Sequence, residues 1–590
     1  MVRVLLCGAL LVLGVHPVQA LGEHIEAGEL RADHWSGGVI DNAAFTPGGR
    51  AAPPVEPFLG TLQLTEAPML SKPERLASGP VLGRDPQLFP GVALSFFTDG
   101  GDLVPFTQDV IRYASADRGK SYWDILVQPG RVWSEPGDGG WSRAAFPFAL
   151  VNSIEGETHN GLALFLYRGT QVSNLRFQIV QQTAPFYVKD LFVASGLVHA
   201  SLKPAAKERL AQMRRAYAAL RADSVPVAAW SELAAGVGTD KLEGFDGTMQ
   251  PGLIVLSGLD YRGTFYLKEC QSAGGALPWC GRARFGVWSA TKALANESAL
   301  LRLAQKFGPQ VFGLRIRDYV PEAVAFPGWR EVRFEDAIDM ATGIGNGSTN
   351  IHPNNSEDGY IVDPSYGRWY EARSVHEKVM ALLADGHVYP WGPGKVTRYR
   401  DQDMFILGVA MDRFLKSKEG PSADLWTMLR KEVFEPIGIH EAPTNRTIEP
   451  DGSPGQPLMA YGYYPTLGEM VRMARLYQNG GKWGGRQILY GPRIKELLPG
   501  PEAKGLPTGE LLAGGEATYR NAFWIEAYTG TGGCRIYYPR MVGWGGNLIA
   551  LLPGGLTGVR IAKGDEAQDI AVADTDGMAR VADRLSPACR

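Results

Sequence analysis

Beyond its first twenty residues this 590-residue chain has no long apolar run. A transmembrane helix needs about 20 of them in a row, so no stable membrane span is expected after that point. An excess of charge of one sign is also missing: 59 Lys and Arg stand against 62 Asp and Glu, a formal net charge of −3. Without a polybasic footprint, a nucleic-acid partner is not expected. The nine His are scattered, and no Cys/His cluster has zinc spacing, so neither a metal nor another cofactor is expected. What the chain does have is 45% hydrophobic residues with 21% charged, which excludes disorder and coiled coil. Gly (73) and Pro (40) together make about 19% of it, against roughly 12% in average usage. With no collagen period, that excess points to many turns in an ordered, strand-rich fold.

Residues 1–20 read M-V-R-V-L-L-C-G-A-L-L-V-L-G-V-H-P-V-Q-A. One Arg, a short apolar run and small residues before a cleavage point make a secretory signal peptide; the alternative is a buried N-terminal helix. Cys7 lies inside the apolar run, so a lipobox anchor is not expected. The mature protein is expected to be exported, periplasmic or secreted. Four cysteines then remain: Cys270, Cys280, Cys534 and Cys589. An even set suits an oxidising compartment. Cys270 and Cys280 flank a Gly-rich turn, and Cys534 with Cys589 would tie a late strand to the C-terminus; spacing fixes neither pairing.

At roughly 100–200 residues per domain the length suggests two or three. Residues 21–202 are short apolar or alternating runs cut by turn residues, as in N-G-L-A-L-F-L-Y-R-G, and predict an all-β domain of unknown role. Residues 203–247 open with an Ala/Arg-rich stretch at helical spacing and predict a helical linker. Residues 248–590 begin with strands, carry several long helices, return to strands at 536–553 and 557–562, and close with a helix near 574–585. An antiparallel sheet built from both ends of a unit and flanked by helices is an α/β (α+β) pattern. Trp35, Trp123, Trp133 and Trp141 in the first half fit either a sugar-binding face or ordinary core and turn positions.

Ser289-Ala-Thr-Lys292 is the only Ser-x-x-Lys in the chain. It follows F-G-V-W and opens an apolar helix stopped by Gly308. Three residues are nearly one helical turn, so Ser Oγ and Lys Nζ can meet on one face. The helix N-terminus adds positive potential, and a desolvated lysine can take the serine's proton. The plain alternative is a capping serine beside a solvated lysine.

Six stretches change that balance. After Ser289–Lys292 come D-Y-V-P-E, F-E-D-A-I-D-M-A-T-G-I-G (334–345), Y-R-D-Q-D-M-F-I-L-G (399–408), V-F-E-P-I-G-I (433–439) and P-T-L-G-E-M-V-R-M-A-R-L-Y-Q-N-G-G-K-W-G-G-R-Q-I-L (465–489). In that order they resemble the serine β-lactamase and penicillin-binding-protein superfamily, and most closely its esterase and amide-hydrolase branch, from about Thr248 to the C-terminus. The resemblance implies a β-lactamase-like domain with Ser289 as nucleophile, Lys292 as its partner and Tyr399 as the group carrying a proton to the leaving group. A buried Tyr399 bonded to backbone is the structural alternative. Asp401 stands where the family often has Asn. It is either a helix cap or, if it approaches Lys292, a charge that favours protonated lysine and opposes the base role.

The family's Lys-Thr-Gly or His-Thr-Gly strand has no cation here: the stretch is Y-P-R-M-V-G-W-G-G-N-L-I-A-L-L-P. Aligned on Pro553, Met541-Val542-Gly543 is the equivalent, and the Trp544 N–H joins that of Ser289 as an oxyanion hole. Taking Trp544-Gly545-Gly546 as the triplet is the other register, and a simple strand bulge is a third reading. In the family that cation helps hold a substrate carboxylate, so its loss favours a small-molecule ester or amide over penicillin-like acids. The expected activity is serine hydrolysis through an acyl-enzyme. The rivals are a D-amino-acid peptidase or carboxypeptidase on cell-wall peptides, and a catalytically inactive penicillin-binding-like scaffold. Oligomeric state is not set by the sequence.

Overall fold

The computed structural model describes residues 25–75, 81–188, 190–205, 207–350, 364–512, 515–564 and 576–589. The segment read as a signal peptide lies outside the described residues. Among those residues, no helix is long and apolar enough to cross a membrane.

Residues 59–203 contribute a 12-stranded sheet whose pairings are all antiparallel. Its centre is the pair Ser142–Val151 and His159–Arg168, matched from His159↔Leu150 to Tyr167↔Ser142. Both strands are buried on both faces, which is why S-R-A-A-F-P-F-A-L-V reads as an apolar run rather than an alternation. Ala144, Phe146, Phe148 and Leu150 pack on one side with Phe96, Phe165 and Phe177. On the other side Ile25, Leu30 and Phe45 cover Ala145, Leu162 and Leu164. A single residue, His199, separates the strand Leu191–Val198, next to one edge, from Ala200–Lys203 at the other edge. The sheet therefore curls round towards itself.

The tryptophans of this half are accounted for by packing. Trp123 and Trp133 are buried, their indole N–H groups donating to Pro86 O and Glu135 Oε1. Arg176 covers the Trp35 ring, and Arg31 and Arg168 both stack on Trp141.

The second sheet runs in the order Val227–Ala229, Thr264–Ser272, Ile254–Tyr261, Thr557–Ala562, Asn547–Leu551, Arg535–Gly543, Phe523–Thr529, Gly515–Arg520, Leu506–Leu512. Strands from opposite ends of the unit thus lie side by side at its centre. Residues 203–247 are not a plain linker. The helix Leu210–Ala222 is there, but Val227–Ala229 already pairs in parallel with residues 265–267, and the helix Trp230–Val237 follows it directly. A three-residue strand and an eight-residue helix are too short to show a period in sequence. The run expected at 536–553 is two strands joined by the turn Trp544–Gly546.

One face of this sheet packs on Trp230–Val237 and on the C-terminal helix Asp576–Leu585, through Leu233, Leu548, Met578 and Val581. The other face meets the helices Ser298–Phe307, Asp401–Glu419 and Leu467–Gln478, through Leu300, Leu407, Met470 and Ile549. The result is helix, mainly antiparallel sheet and helix in layers. Disulfides join Cys270 to Cys280 and Cys534 to Cys589.

The segment leading to Ser289 is anchored by a buried ion pair. Arg284, with no exposed surface, donates two hydrogen bonds to Glu469 (2.9 and 3.1 Å) and one to Tyr464 O. Glu469 also accepts from the Thr466 N–H, closing the capping box of its helix. Removing one member leaves a buried charge uncompensated, a loss of about 3–5 kcal/mol. Glu469→Ala is expected to lower stability in denaturant unfolding by that amount; a loss below about 1 kcal/mol would contradict the anchoring role.

Candidate active site

Ser289 is reached through an unusual turn. At Trp288, the residue before it, φ is +49°. A bulky residue there is an outlier, of the kind that costs roughly 1–3 kcal/mol and persists only when its surroundings hold it. The helical hydrogen bonds begin at once, Thr291 N–H to Trp288 O and Lys292 N–H to Ser289 O. Ser289 thus sits in the first turn, partly accessible, while Lys292 behind it has no exposed surface. A π-type turn spans Lys292–Glu297 before the α-helix Ser298–Phe307, a distortion often found at functional sites.

Lys292 Nζ has three acceptors for three N–H bonds: Ser289 Oγ at 2.6 Å, Asp401 Oδ1 at 2.5 Å and Ala460 O at 3.2 Å. That is the geometry of an ammonium. Burial alone would push its pKa down, but the Asp401 carboxylate and the Tyr399 phenol more than offset it, and the net direction is upward. Nζ also lies 4.7 Å from the centre of the Tyr399 ring. The Tyr399 phenol interacts with Lys292 and Ser289, and its ring stacks on Trp524. Its pKa is raised, burial outweighing the pull of the Lys292 charge.

Asp401 is the first residue of its helix and makes no capping bond. Its two oxygens go to Lys292 and to the Tyr366 hydroxyl (2.8 Å). The carboxylate therefore does approach the lysine and favours its charged form.

The structure brings the end of the strand Arg535–Gly543 against the serine segment. A Cβ on Gly543 would stand 2.1 Å from Val287 O, so only glycine allows this approach. Met541–Gly543 lie on the strand and Trp544–Gly546 form the turn, with Gly545 at φ +75°. Asn547 ties that turn to the serine segment, its amide donating to Trp544 O (2.8 Å) and Gly286 O (3.2 Å). Arg540, just before Met541, is buried and paired with Glu526 at 3.1 Å.

Three contributors were not apparent from sequence. Tyr366 orients Asp401. Phe186, from the first sheet, sets its ring against Trp288, Trp544, Tyr366 and Tyr370 at centroid distances of 4.9–6.2 Å. Glu155, also from the first sheet, accepts from the N–H groups of Phe186 and Tyr187 (3.3 and 2.5 Å). Burial raises Glu155 well above the carboxylate range, and takes Glu157 beside it to about 8. T-A-P-F-Y-V reads as an ordinary turn; nothing in it signals a site a hundred residues further on. Among the described residues no group of His, Cys, Asp and Glu could hold a metal ion.

No family model matches the chain, and no curated protein matches it. Solved structures do. It is similar to a novel penicillin-binding protein homolog from Caulobacter crescentus, at 16% identity and TM-score 0.41, over 59% of this chain and 97% of that one. A β-lactamase from Sulfitobacter sp. EE-36 is similar at 16% and TM-score 0.40, over 61% and 99%. A family VIII carboxylesterase is similar at 17% and TM-score 0.38, over 57% and 96%.

The pH response of the lysine has a defined sign. Asp401→Asn removes the charge that holds Lys292 protonated, so its pKa falls and the amine exists at lower pH. In a direct titration of the Lys292 amine by 15N NMR, its midpoint is expected to move down in Asp401→Asn. An unchanged or higher midpoint would show that Asp401 does not hold the lysine charged.

Proposed function

We propose that this chain is an exported serine hydrolase that cleaves ester or small amide bonds through an acyl-enzyme on Ser289. The observation that carries this is the contact of a partly accessible serine hydroxyl with a fully buried lysine, itself held by a carboxylate. A serine that merely capped its helix would need none of this.

The resting ion pair supplies its own base. The Lys292 proton passes onto Asp401 Oδ1 across a donor–acceptor distance of 2.5 Å, leaving a neutral amine beside Ser289. In a dry site the neutral pair and the ion pair lie closer in energy than in water. Ser289 Oγ then attacks the substrate carbonyl carbon and its proton passes to the amine. The backbone N–H groups of Ser289 and Trp544 receive the developing oxyanion. Collapse breaks the bond to the leaving alcohol or amine, which takes a proton from Tyr399; Lys292 restores that proton and recovers its own from Asp401. Water attacks the acyl-enzyme with its proton taken up by the same groups, the acid leaves, and Ser289 is regenerated.

Small neutral substrates fit best. The strand position that carries a cation in the resembled family holds Met541-Val542-Gly543, and Arg540 beside it is already paired. Residues 21–202 are proposed to be a β domain and the later part of the chain the hydrolytic unit, with export following from the leader at 1–20.

Intact-protein mass spectrometry after exposure to a fluorophosphonate tests the proposal. Wild type is expected to gain one adduct and Ser289→Ala none, with a loss in p-nitrophenyl ester turnover of at least about 10³-fold. A folded wild type that takes no adduct would overturn the mechanism and favour the scaffold reading.

A further inference from the structure

A turn of the first sheet, between the strands Leu175–Gln182 and Leu191–Val198, reaches the serine site. The Trp288 indole N–H donates to Ala184 O at 2.8 Å. The Trp544 indole N–H donates to the next carbonyl, Pro185 O, also at 2.8 Å. The Phe186 ring then sits edge-on to both indoles, at 5.8 and 4.9 Å. Three consecutive residues thus grip the residue before the nucleophile and the residue that opens the opposing turn. Backbone contact is as close: a Cβ on Gly545 would lie 2.0 Å from Ala184 Cβ, and one on Gly286 would lie 2.0 Å from Gly156 O. The Gly286 N–H donates to Thr158 Oγ1 (3.1 Å), also from the first sheet.

We propose that the turn Ala184–Phe186 is a positioning element of the hydrolytic site, fixing the backbone N–H groups of Ser289 and Trp544 relative to one another, so that the first sheet is a working part of the site rather than a separate binding module. This rests on Ser289 being the nucleophile and Trp544 an oxyanion donor. The physical need is specific. Trp288 is held at positive φ, and the turn at Trp544–Gly546 contains two glycines at positive φ, Gly545 and Gly546. Neither segment is fixed by its own backbone preference. Oxyanion donors act only if pre-placed, and a displacement of about 1 Å can cost about 10²-fold in rate. Both indole rings are anchored on one rigid reference, two neighbouring carbonyls of a single turn. Glu155 holds that turn in place through the Phe186 and Tyr187 N–H groups, and the Asn445 amide bridges back to Asn152 O and Glu155 O (2.8 and 3.2 Å).

The test uses the full chain and three variants: Phe186→Ala, Phe186→Leu and Trp544→Phe, the last keeping a ring but losing the N–H to Pro185 O. Each is titrated with a fluorophosphonate so that turnover of p-nitrophenyl acetate is expressed per reactive site, and backbone hydrogen exchange is followed at 286–290 and 543–546. Phe186→Ala and Trp544→Phe are expected to lose about 10- to 100-fold in kcat, with KM within threefold of wild type and faster exchange in both segments. Phe186→Leu is expected to recover most of the rate. If kcat per titrated site stays within twofold of wild type while only thermal stability falls, the turn is structural and the proposal is wrong. Unchanged exchange in both segments would overturn it equally. A wild type that takes no label would sink the hydrolase reading and this inference together, whereas an active wild type with indifferent variants sinks this inference alone.

Discussion

A lysine ammonium with no exposed surface must satisfy every N–H or not be charged, and that requirement fixes where four segments of this chain meet. Lys292 brings its own first-turn neighbour Ser289, the start of the helix at Asp401, the Ala460 carbonyl and the Tyr399 ring to one point. Asp401 in turn calls in Tyr366. Each of these residues belongs to an element with its own place in the core. The charge therefore acts as a register pin for the helical layer as well as a chemical group. Replacing any partner by an apolar one would leave either a bare ammonium or an unpaired carboxylate in the interior.

The same arrangement explains why a residue that looks wrong for a base is compatible with hydrolysis. A carboxylate 2.5 Å from Nζ holds the lysine charged, and a charged lysine cannot take a proton. Yet an acceptor so close also offers the ammonium somewhere to put its proton without crossing solvent. In the proposed mechanism Asp401 sets the resting state and supplies the exit from it. An asparagine at this position would leave the lysine freer to lose its proton but could not take that proton up.

Much of this was legible in the sequence, for physical reasons that differ by element. Ser289 and Lys292 are three apart on one helix, so local geometry alone brings them together. The pairing of Ile254–Tyr261 with Thr557–Ala562 could be expected because apolar strands at both ends of one unit need a common sheet. Asp401 was ambiguous because a first-turn carboxylate serves a helix equally well as cap or as outward ligand; only the position of Lys292, 109 residues away, decides. Val227–Ala229 was missed because three residues carry no period. Phe186 and Tyr366 left no trace, since an aromatic in a turn and one in a short helix look like ordinary core until the surfaces they join are known.

That last failure bears on how the two halves relate. A sequence read in blocks invites the view of a catalytic unit with an appended β module. The contacts argue otherwise, because they are made by backbone. Gly156, Gly286 and Gly545 sit where a Cβ would strike an atom of the other half at 2.0–2.5 Å, and all three lie at the seam around Ser289. Close backbone packing of this kind tolerates no slack, unlike the long polar side chains that usually join mobile domains. The carboxyl group of Glu155 sits inside the same seam with no exposed charge to spare. Burial raises its pKa, and it braces the Phe186 turn by accepting from the Phe186 and Tyr187 N–H groups. A joint built this tightly transmits displacement, so the geometry at Ser289 depends on the first sheet as much as on the helix that carries it.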